Sequence, residues 1–313
     1  MTDVLLPSGF SCGHWTDTDA WTGCTVLLAP EGSVGAGEVR GGGPGTRESD
    51  LLSPYTSTPG PSAVVFSGGS AYGLGAVDGV VTSLAAAGRG HPTPAGPVPL
   101  VSGAVVYDLA FGAASWPGPA SGRMAYRAAG PVVERGCVGA GTGATVGKLL
   151  GPDAMTKGGL GGASLRCGEA VVTAVAAVNP IGDVLGADGE VLAGAWGAGG
   201  YIRATTLILR GAASGPLARE NTTLVCVCTD ARLTKLQAAL VARAMSAGVA
   251  RAVSPCATAW DGDLTACLAS GAVEADPDAV AVIAAEATSM AIRDAVLSAT
   301  GAPGCPSATD RHE

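Results

Sequence analysis

The chain has 313 residues, 47% of them hydrophobic but only 4% aromatic, with 49 glycines and a net charge of −8. Its core must be built from Ala, Val and Leu, small side chains that let sheet and helix layers approach closely, which favours one layered α/β domain. The acidic balance, with a pI near 4.9, excludes the basic face that nucleic acid or an anionic membrane surface requires.

No uninterrupted apolar stretch reaches the roughly 18 residues of a transmembrane helix. Met1-Thr2-Asp3-Val4 opens no basic-then-apolar segment, so no signal peptide is expected and a cytoplasmic location is. Nine cysteines make an odd count, and Cys226, Cys228 and Cys267 lie inside apolar runs, as small buried hydrophobes of a reducing compartment do. There is no Cys-x-x-Cys pair, and no metal or other cofactor is expected.

In chain order, Gly23 to Pro30 reads as a short strand closed by proline, and residues 31–62 as loop with a weak strand at Val34 to Val39. Ala63 to Ser67 is a strand, and Ser67-Gly68-Gly69-Ser70 turns it into a helix running to Ala87 and ended by Gly88. Val101 to Val106 is another apolar run.

The glycine-rich stretch Gly136 to Lys148 invites two nucleotide readings and satisfies neither. As a dinucleotide fingerprint it offers Gly139, Gly141 and Ala144, but Asp153 comes too early and Glu169 too late for the ribose acid. As a phosphate loop it has Thr142 where the first Gly belongs and Leu149 where a magnesium-binding hydroxyl should follow Lys148. What remains is a tight surface loop or part of a substrate cleft, in which Lys148 would present a charge.

Cys167 to Val178 and Val191 to Ala193 read as strands joined through the Asn179–Asp183 turn region. Next comes Asn221-Thr222-Thr223-Leu224-Val225-Cys226-Val227-Cys228-Thr229, a hydroxyl residue after Asn at the entry to an apolar, β-rich run. It can be a buried strand that begins with two threonines. It also suits self-cleavage exposing a new N-terminal nucleophile, whose α-amine, with an ordinary pKa near ~8, takes the hydroxyl proton. A histidine is then unnecessary, and His14, His91 and His312 lie in no triad-like context. Thr234 to Ser246 is an amphipathic helix with Asp230 and Thr234 as cap candidates, and Val280 to Thr300 a second long helix. Between them, Asp261 and Asp263 flank Gly262, and in an extended segment both side chains point the same way. That motif is either an exposed turn or a carboxylate pair that holds an amine.

Several blocks in one order give these pieces a common resemblance. They are Gly13-His14-Trp15-Thr16-Asp17 with Gly23-Cys24-Thr25-Val26, Gly68-Gly69-Ser70-Ala71-Tyr72-Gly73-Leu74, and Val105-Val106-Tyr107-Asp108-Leu109. Gly139 to Ala144, Ala177-Val178-Asn179-Pro180-Ile181-Gly182-Asp183, Asn221-Thr222-Thr223-Leu224 and Asp261-Gly262-Asp263 follow. Together they resemble the self-processing aminopeptidases of the DmpA type, which include β-peptidyl aminopeptidases and nylon-oligomer hydrolases.

The resemblance implies a four-layer α-β-β-α sandwich of the N-terminal nucleophile hydrolase type, also like the ornithine acetyltransferases. It implies cleavage between Asn221 and Thr222, giving an α chain of residues 1–221 and a β chain of residues 222–313 within one structural domain. By that likeness Thr222 is nucleophile and base, Asn179 and Tyr107 stabilise the oxyanion, Lys148 lines the site, and Asp261 and Asp263 position the amine. The chemistry is coherent, since an amide and a phenol are good donors to an oxyanion and losing one costs about 10²–10³ in rate.

Many relatives carry Ser where this chain has Thr222, and the Asn-Thr pair resembles the nylon-oligomer branch. The expected substrate is a small peptide, β-peptide or ω-amino acid oligomer with a free amine near the scissile bond. The expected assembly is a tetramer of cleaved heterodimers. An acyltransferase of the ornithine acetyltransferase type is the alternative, although Ala rather than Asn usually precedes its cleavage site. A non-catalytic binding protein is the third reading, against which the intact Asn221-Thr222 pair and both aspartates stand.

Overall fold

The computed structural model describes residues 3–211 and 221–312. Its main elements begin with β1 (Ser11–Asp17), β2 (Thr22–Leu28), β3 (Val34–Val39), β4 (Thr46–Arg47) and β5 (Ala63–Ser67). Helices α1 (Ser70–Gly73) and α2 (Ala76–Ala86), strand β6 (Val101–Val105) and helix α3 (Pro119–Arg127) follow. The second half contributes β7 (Gly159–Cys167), β8 (Ala170–Asn179), β9 (Thr222–Ala231), α4 (Lys235–Ala252), β10 (Leu264–Val273) and α5 (Pro277–Leu297).

Two five-stranded sheets result, in the orders β1-β2-β5-β6-β4 and β7-β8-β9-β10-β3. Each has one parallel pair, β5 with β6 and β9 with β10, among antiparallel ones. In each, helices connect the parallel strands, because a parallel pair needs a crossover longer than a hairpin turn.

Side chains alternate across a strand, and here both faces are apolar, so each sheet is covered on both sides. Along β9, Leu224, Cys226 and Cys228 enter the core between the sheets, whereas Val225 and Val227 pack toward α4 and α5 with Met245 and Ile292. In the first sheet Leu27, Val64 and Phe66 face the second sheet, while Val26, Val65 and Cys24 face Val77, Val80 and Leu84 of α2. The layers are therefore helix, sheet, sheet, helix, the expected four-layer sandwich. Among the described residues no helix is long and apolar enough to cross a membrane.

Local chemistry fixes the element ends. At α4 the Thr234 hydroxyl accepts from the Gln237 N–H and Gln237 Oε1 accepts from the Thr234 N–H, a capping box. At α5 Asp276 accepts from the Asp278 N–H, with Pro277 in the first turn. Both helices differ in extent from expectation: α4 runs on to Ala252, and α5 begins at Pro277 and stops at Leu297.

The expected single helix from Ser70 to Ala87 is two helices. Ser70 is left-handed (φ 51°) and its N–H donates to the Val106 carbonyl, which pins the first turn to the end of β6 rather than to the α2 axis. The expected strand from Cys167 is also divided: the chain reverses at Gly168 (φ 60°), leaving Cys167 in β7.

Sheet and helix meet closely because glycines stand at the contacts. A Cβ on Gly161 of β7 would lie 2.1 Å from the Ala291 carbonyl oxygen and 2.3 Å from the Ala295 nitrogen of α5. Gly161→Ala should therefore lower stability by about 1–3 kcal/mol or more. Gly199→Ala, which meets nothing within 4 Å, should be near neutral. Urea midpoints at unchanged slope check both.

Candidate active site

The site forms where β9 begins. Across the antiparallel ladder Thr222 is registered with Asn179, the last residue of β8. On the other side a parallel bridge pairs Asn221 with Asp261, just ahead of β10. Directly opposed residues share a face, and the alternation that sends Leu224 and Ala177 between the sheets sends Thr222 and Asn179 the same way. The first sheet contributes Tyr107, two residues past β6. Thr222 thus stands at the end of the inter-sheet core and Thr223 on the helix-facing side, where it is fully buried.

The carbonyl oxygen of Asn221 accepts two hydrogen bonds, from Thr222 Oγ1 at 2.5 Å and from the Gly262 N–H at 2.7 Å. Gly262 comes close because it lacks a Cβ, which would lie 2.9 Å from Thr222 Oγ1. Sequence reasoning gave no role to Gly262, although its place between the two aspartates was the available signal. Asp263 accepts from the Thr223 N–H (2.6 Å) and the Ala257 N–H (2.8 Å), so both its oxygens serve the backbone. Burial, and then the neighbouring Asp261, push its carboxyl up to about 7. Asp261 accepts through Oδ2 from the Thr258 N–H and hydroxyl. Burial raises its carboxyl as well, while the Lys148 ammonium opposes the rise.

Lys148 follows Gly147, whose left-handed backbone (φ 76°) and tight approach to Gly194 and Ala195 admit no side chain. Its Nζ donates to the Asn179 carbonyl at 2.7 Å. The Asn179 side chain is fixed at both ends, Oδ1 accepting from the Thr145 N–H and Nδ2 donating to the Tyr107 carbonyl. The glycine-rich stretch is no surface loop: residues 139–148 are buried, and Gly143, Thr145 and Lys148 wall a small cavity of about 140 Å³. Tyr107 divides it from a larger cavity of about 300 Å³ that opens on Thr222.

The sequence also gave no role to Asp108. It accepts from Thr22 Oγ1 (2.8 Å) and the Gly69 N–H (2.6 Å), fixing the turn whose next residue, Ser70, borders the larger cavity. Burial pushes its carboxyl up to about 6. His14 is held neutral, its pKa lowered by burial to about 4, and bonds Thr25 Oγ1. Neither His14 nor His91 borders the two cavities, and the side chain of His312 lies outside the described residues. All nine cysteines are unpaired.

The sequence profile of peptidase family S58 matches residues 1–309. An uncharacterized aminopeptidase of Mycobacterium leprae is 40% identical over 307 residues, covering 88% of this chain and 80% of that one. A 6-aminohexanoate-oligomer endohydrolase of Paenarthrobacter ureafaciens is 31% identical over 262 residues, 82% of this chain and 71% of that one. The fold matches an l-aminopeptidase d-Ala-esterase/amidase from Ochrobactrum anthropi, a variant of the Ntn hydrolase fold (TM-score 0.72, 17% identity, 100% and 94% coverage). It also matches a Burkholderia sp. beta-aminopeptidase (TM-score 0.70, 23% identity, 95% and 86% coverage).

The buried carboxyls set a pH dependence. Unfolded, Asp108 and Asp263 lose their protons near the ordinary value of 3.8; folded, they hold them to about 6 and about 7. In that window these carboxyls, joined by Asp183, which burial raises to about 6, bind more protons in the folded chain. They outnumber His14, which burial keeps neutral and which acts in the opposite sense, so stability falls as pH rises. Urea unfolding of a Thr222→Ala chain should show its stability declining from pH of about 5 to about 7. Asp263→Asn should flatten the upper part of that decline.

Proposed function

We propose that this chain, which belongs to peptidase family S58, is a self-cleaving amide hydrolase whose nucleophile is Thr222, released as a new N-terminus when the Asn221–Thr222 bond breaks. The observation that carries this reading is the pair of donors on the Asn221 carbonyl oxygen, the Thr222 hydroxyl and the Gly262 N–H.

In self-cleavage the Thr222 hydroxyl oxygen bonds to the Asn221 carbonyl carbon and the carbonyl oxygen becomes an oxyanion facing the Gly262 N–H. The C–N bond then breaks, the nitrogen takes up the proton given up by the hydroxyl, and an ester to Thr222 remains. Water hydrolyses that ester to the Asn221 carboxylate and a free Thr222 amine. The Asp263 bond to the Thr223 N–H and the Asp261 bridge to Asn221 hold the peptide bond from both sides.

In the mature enzyme the Thr222 amine accepts the hydroxyl proton as the oxygen attacks a substrate amide. Asn179, opposite Thr222 on the same face, and Tyr107 at the cavity wall are the side chains within the site suited to stabilise the second oxyanion. Lys148, buried against the Asn179 carbonyl, lends positive charge from behind. Relatives carrying the names aminopeptidase and oligomer endohydrolase favour hydrolysis of small peptides, β-peptides or ω-amino acid oligomers over acyl transfer.

Variants separate the two threonines. Thr222→Ala should remain one band on a denaturing gel and hydrolyse no amide, whereas Thr223→Ala should yield two fragments and retain turnover. Two fragments from Thr222→Ala would refute the assignment. Gly262→Ala, whose methyl crowds the hydroxyl, should slow self-cleavage by roughly 10-fold or more, as followed by the fraction cut over time after synthesis.

A further inference from the structure

The Gly68-Gly69-Ser70 turn is anchored at three successive N–H groups. Gly68 donates to the Gly23 carbonyl at 2.8 Å, Gly69 to Asp108 Oδ1 at 2.6 Å, and Ser70 to the Val106 carbonyl at 3.0 Å. Close approach excludes a side chain at the first two positions. A Cβ on Gly68 would lie 2.1 Å from Asp108 Oδ2, and one on the left-handed Gly69 would lie 2.3 Å from the Trp116 Cβ. Ser70 is left-handed too (φ 51°), a backbone state in which glycine is the less strained residue. It nevertheless carries a hydroxymethyl group, and it borders the cavity that opens on Thr222. The Ser67 hydroxyl is bonded to the Gly68 carbonyl, whereas the Ser70 hydroxyl has no partner among the described residues.

Self-cleavage remakes the base of this cavity, putting the Asn221 carboxylate and the Thr222 amine there. The groups that anchor Ser70 belong to Val106, Asp108 and Gly23, none of them in the peptide that is cut. The placement of Ser70 is therefore common to the uncut and cut chains.

A substrate amide brings a carbonyl oxygen and an N–H into this space. In the reading above, the carbonyl meets Asn179 and Tyr107. The N–H needs an acceptor, because a buried donor left unpaired loses its hydration without return. The Gly43-Pro44-Gly45 turn, Ala71 and Val105 offer no side-chain oxygen. Of the hydroxyls on the walls, Thr222 attacks and Tyr107 serves the oxyanion, which leaves Ser70.

We propose that the Ser70 hydroxyl accepts the hydrogen bond of the scissile amide's N–H, which makes Ser70 a binding residue for secondary amides with no matching contact to esters of the same acyl unit. The proposal rests on Thr222 being the nucleophile and adds how the leaving nitrogen is held. With the N–H turned to Ser70, the lone pair that develops on nitrogen as the Thr222 oxygen attacks is left open to the Thr222 ammonium. The ammonium passes on the proton it took from the hydroxyl, the C–N bond breaks, and the amine departs from an acyl ester on Thr222.

The test uses the full-length protein after self-cleavage, with rates taken per cut chain. Its substrates are the benzylamide and the benzyl ester of β-alanine and of 6-aminohexanoic acid, pairs that differ only in N–H against oxygen. In Ser70→Ala and Ser70→Gly alike, kcat/KM for the benzylamide should fall roughly 3- to 10-fold relative to that for the ester. Ser70→Gly relieves the left-handed backbone and Ser70→Ala retains it, so a serine of merely structural value would make the two variants unequal. A loss confined to Ser70→Ala would overturn the inference. So would an amide-to-ester ratio unchanged in both variants, which would place the acceptor elsewhere, the Asn221 carboxylate included, while leaving Thr222 hydrolysis intact. Failure of the wild-type protein to hydrolyse any of the four substrates would instead overturn the amide hydrolase reading, and this inference with it.

Discussion

The Asn221–Thr222 peptide is gripped by main chain on both sides, and the rest of the site is arranged around that grip. On one side lies the antiparallel register to Asn179; on the other lies the parallel bridge to Asp261, through which the Gly262 N–H reaches the Asn221 carbonyl. A strand in the middle of a mixed sheet is the one place where a residue has both kinds of neighbour. That central position orients a carbonyl without help from mobile side chains, the pre-organisation that electrostatic stabilisation needs. It also explains a glycine at position 262, since a side chain there would crowd the Thr222 hydroxyl.

Around this peptide the fold buries more charge than its apolar composition suggests. Lys157 is fully buried and donates to three carbonyls, those of Gly141, Ala144 and Gly158, beneath the Phe111 ring. Burial lowers its pKa, as it raises those of Asp108, Asp261 and Asp263. Buried charges are tolerated only when paired or hydrogen-bonded, and each of these bonds backbone in a loop that shapes the site. Lys157 gathers the glycine-rich segment, Asp108 the Gly68-Gly69-Ser70 turn, and Asp263 the start of β9 with the 257 loop. Each of these groups braces a segment that walls the site.

Strands bounded by Gly, Pro or turn residues were legible in the sequence: β3 and β5 stand at the expected positions, and β9 opens at the predicted hydroxyl residue. The Thr234 cap was legible because capping is local. Strand β1, Ser-Cys-Gly-His-Trp-Thr-Asp, is half polar and owes its pairing to β2; β10, Leu-Thr-Ala-Cys-Leu-Ala-Ser-Gly-Ala-Val, has too much Ala and Gly to announce a strand. Helix α3 and strand β7 were missed for similar reasons, with glycines placed for close packing rather than for propensity. At the site, residue types, order and the family resemblance pointed to Thr222, Asn179, Tyr107, Lys148, Asp261 and Asp263, and the structure brings all six together around the start of β9, their catalytic roles being the proposal. What the sequence could not convey is where each polar atom points. Both carboxylate oxygens of Asp263 serve backbone, Asn179 is clamped by Thr145 and Tyr107, and a backbone N–H of Gly262 meets the Asn221 carbonyl where only side-chain donors were sought.

The central claim is that one hydroxyl performs both reactions, so activity must be born with the new N-terminus. The direct measurement is a time course on newly synthesised protein, with intact mass and amide hydrolysis read from the same samples. Activity should rise in strict proportion to the fragment that begins at Thr222 and be absent at time zero. Full activity in samples that still contain only the 313-residue chain would contradict the account.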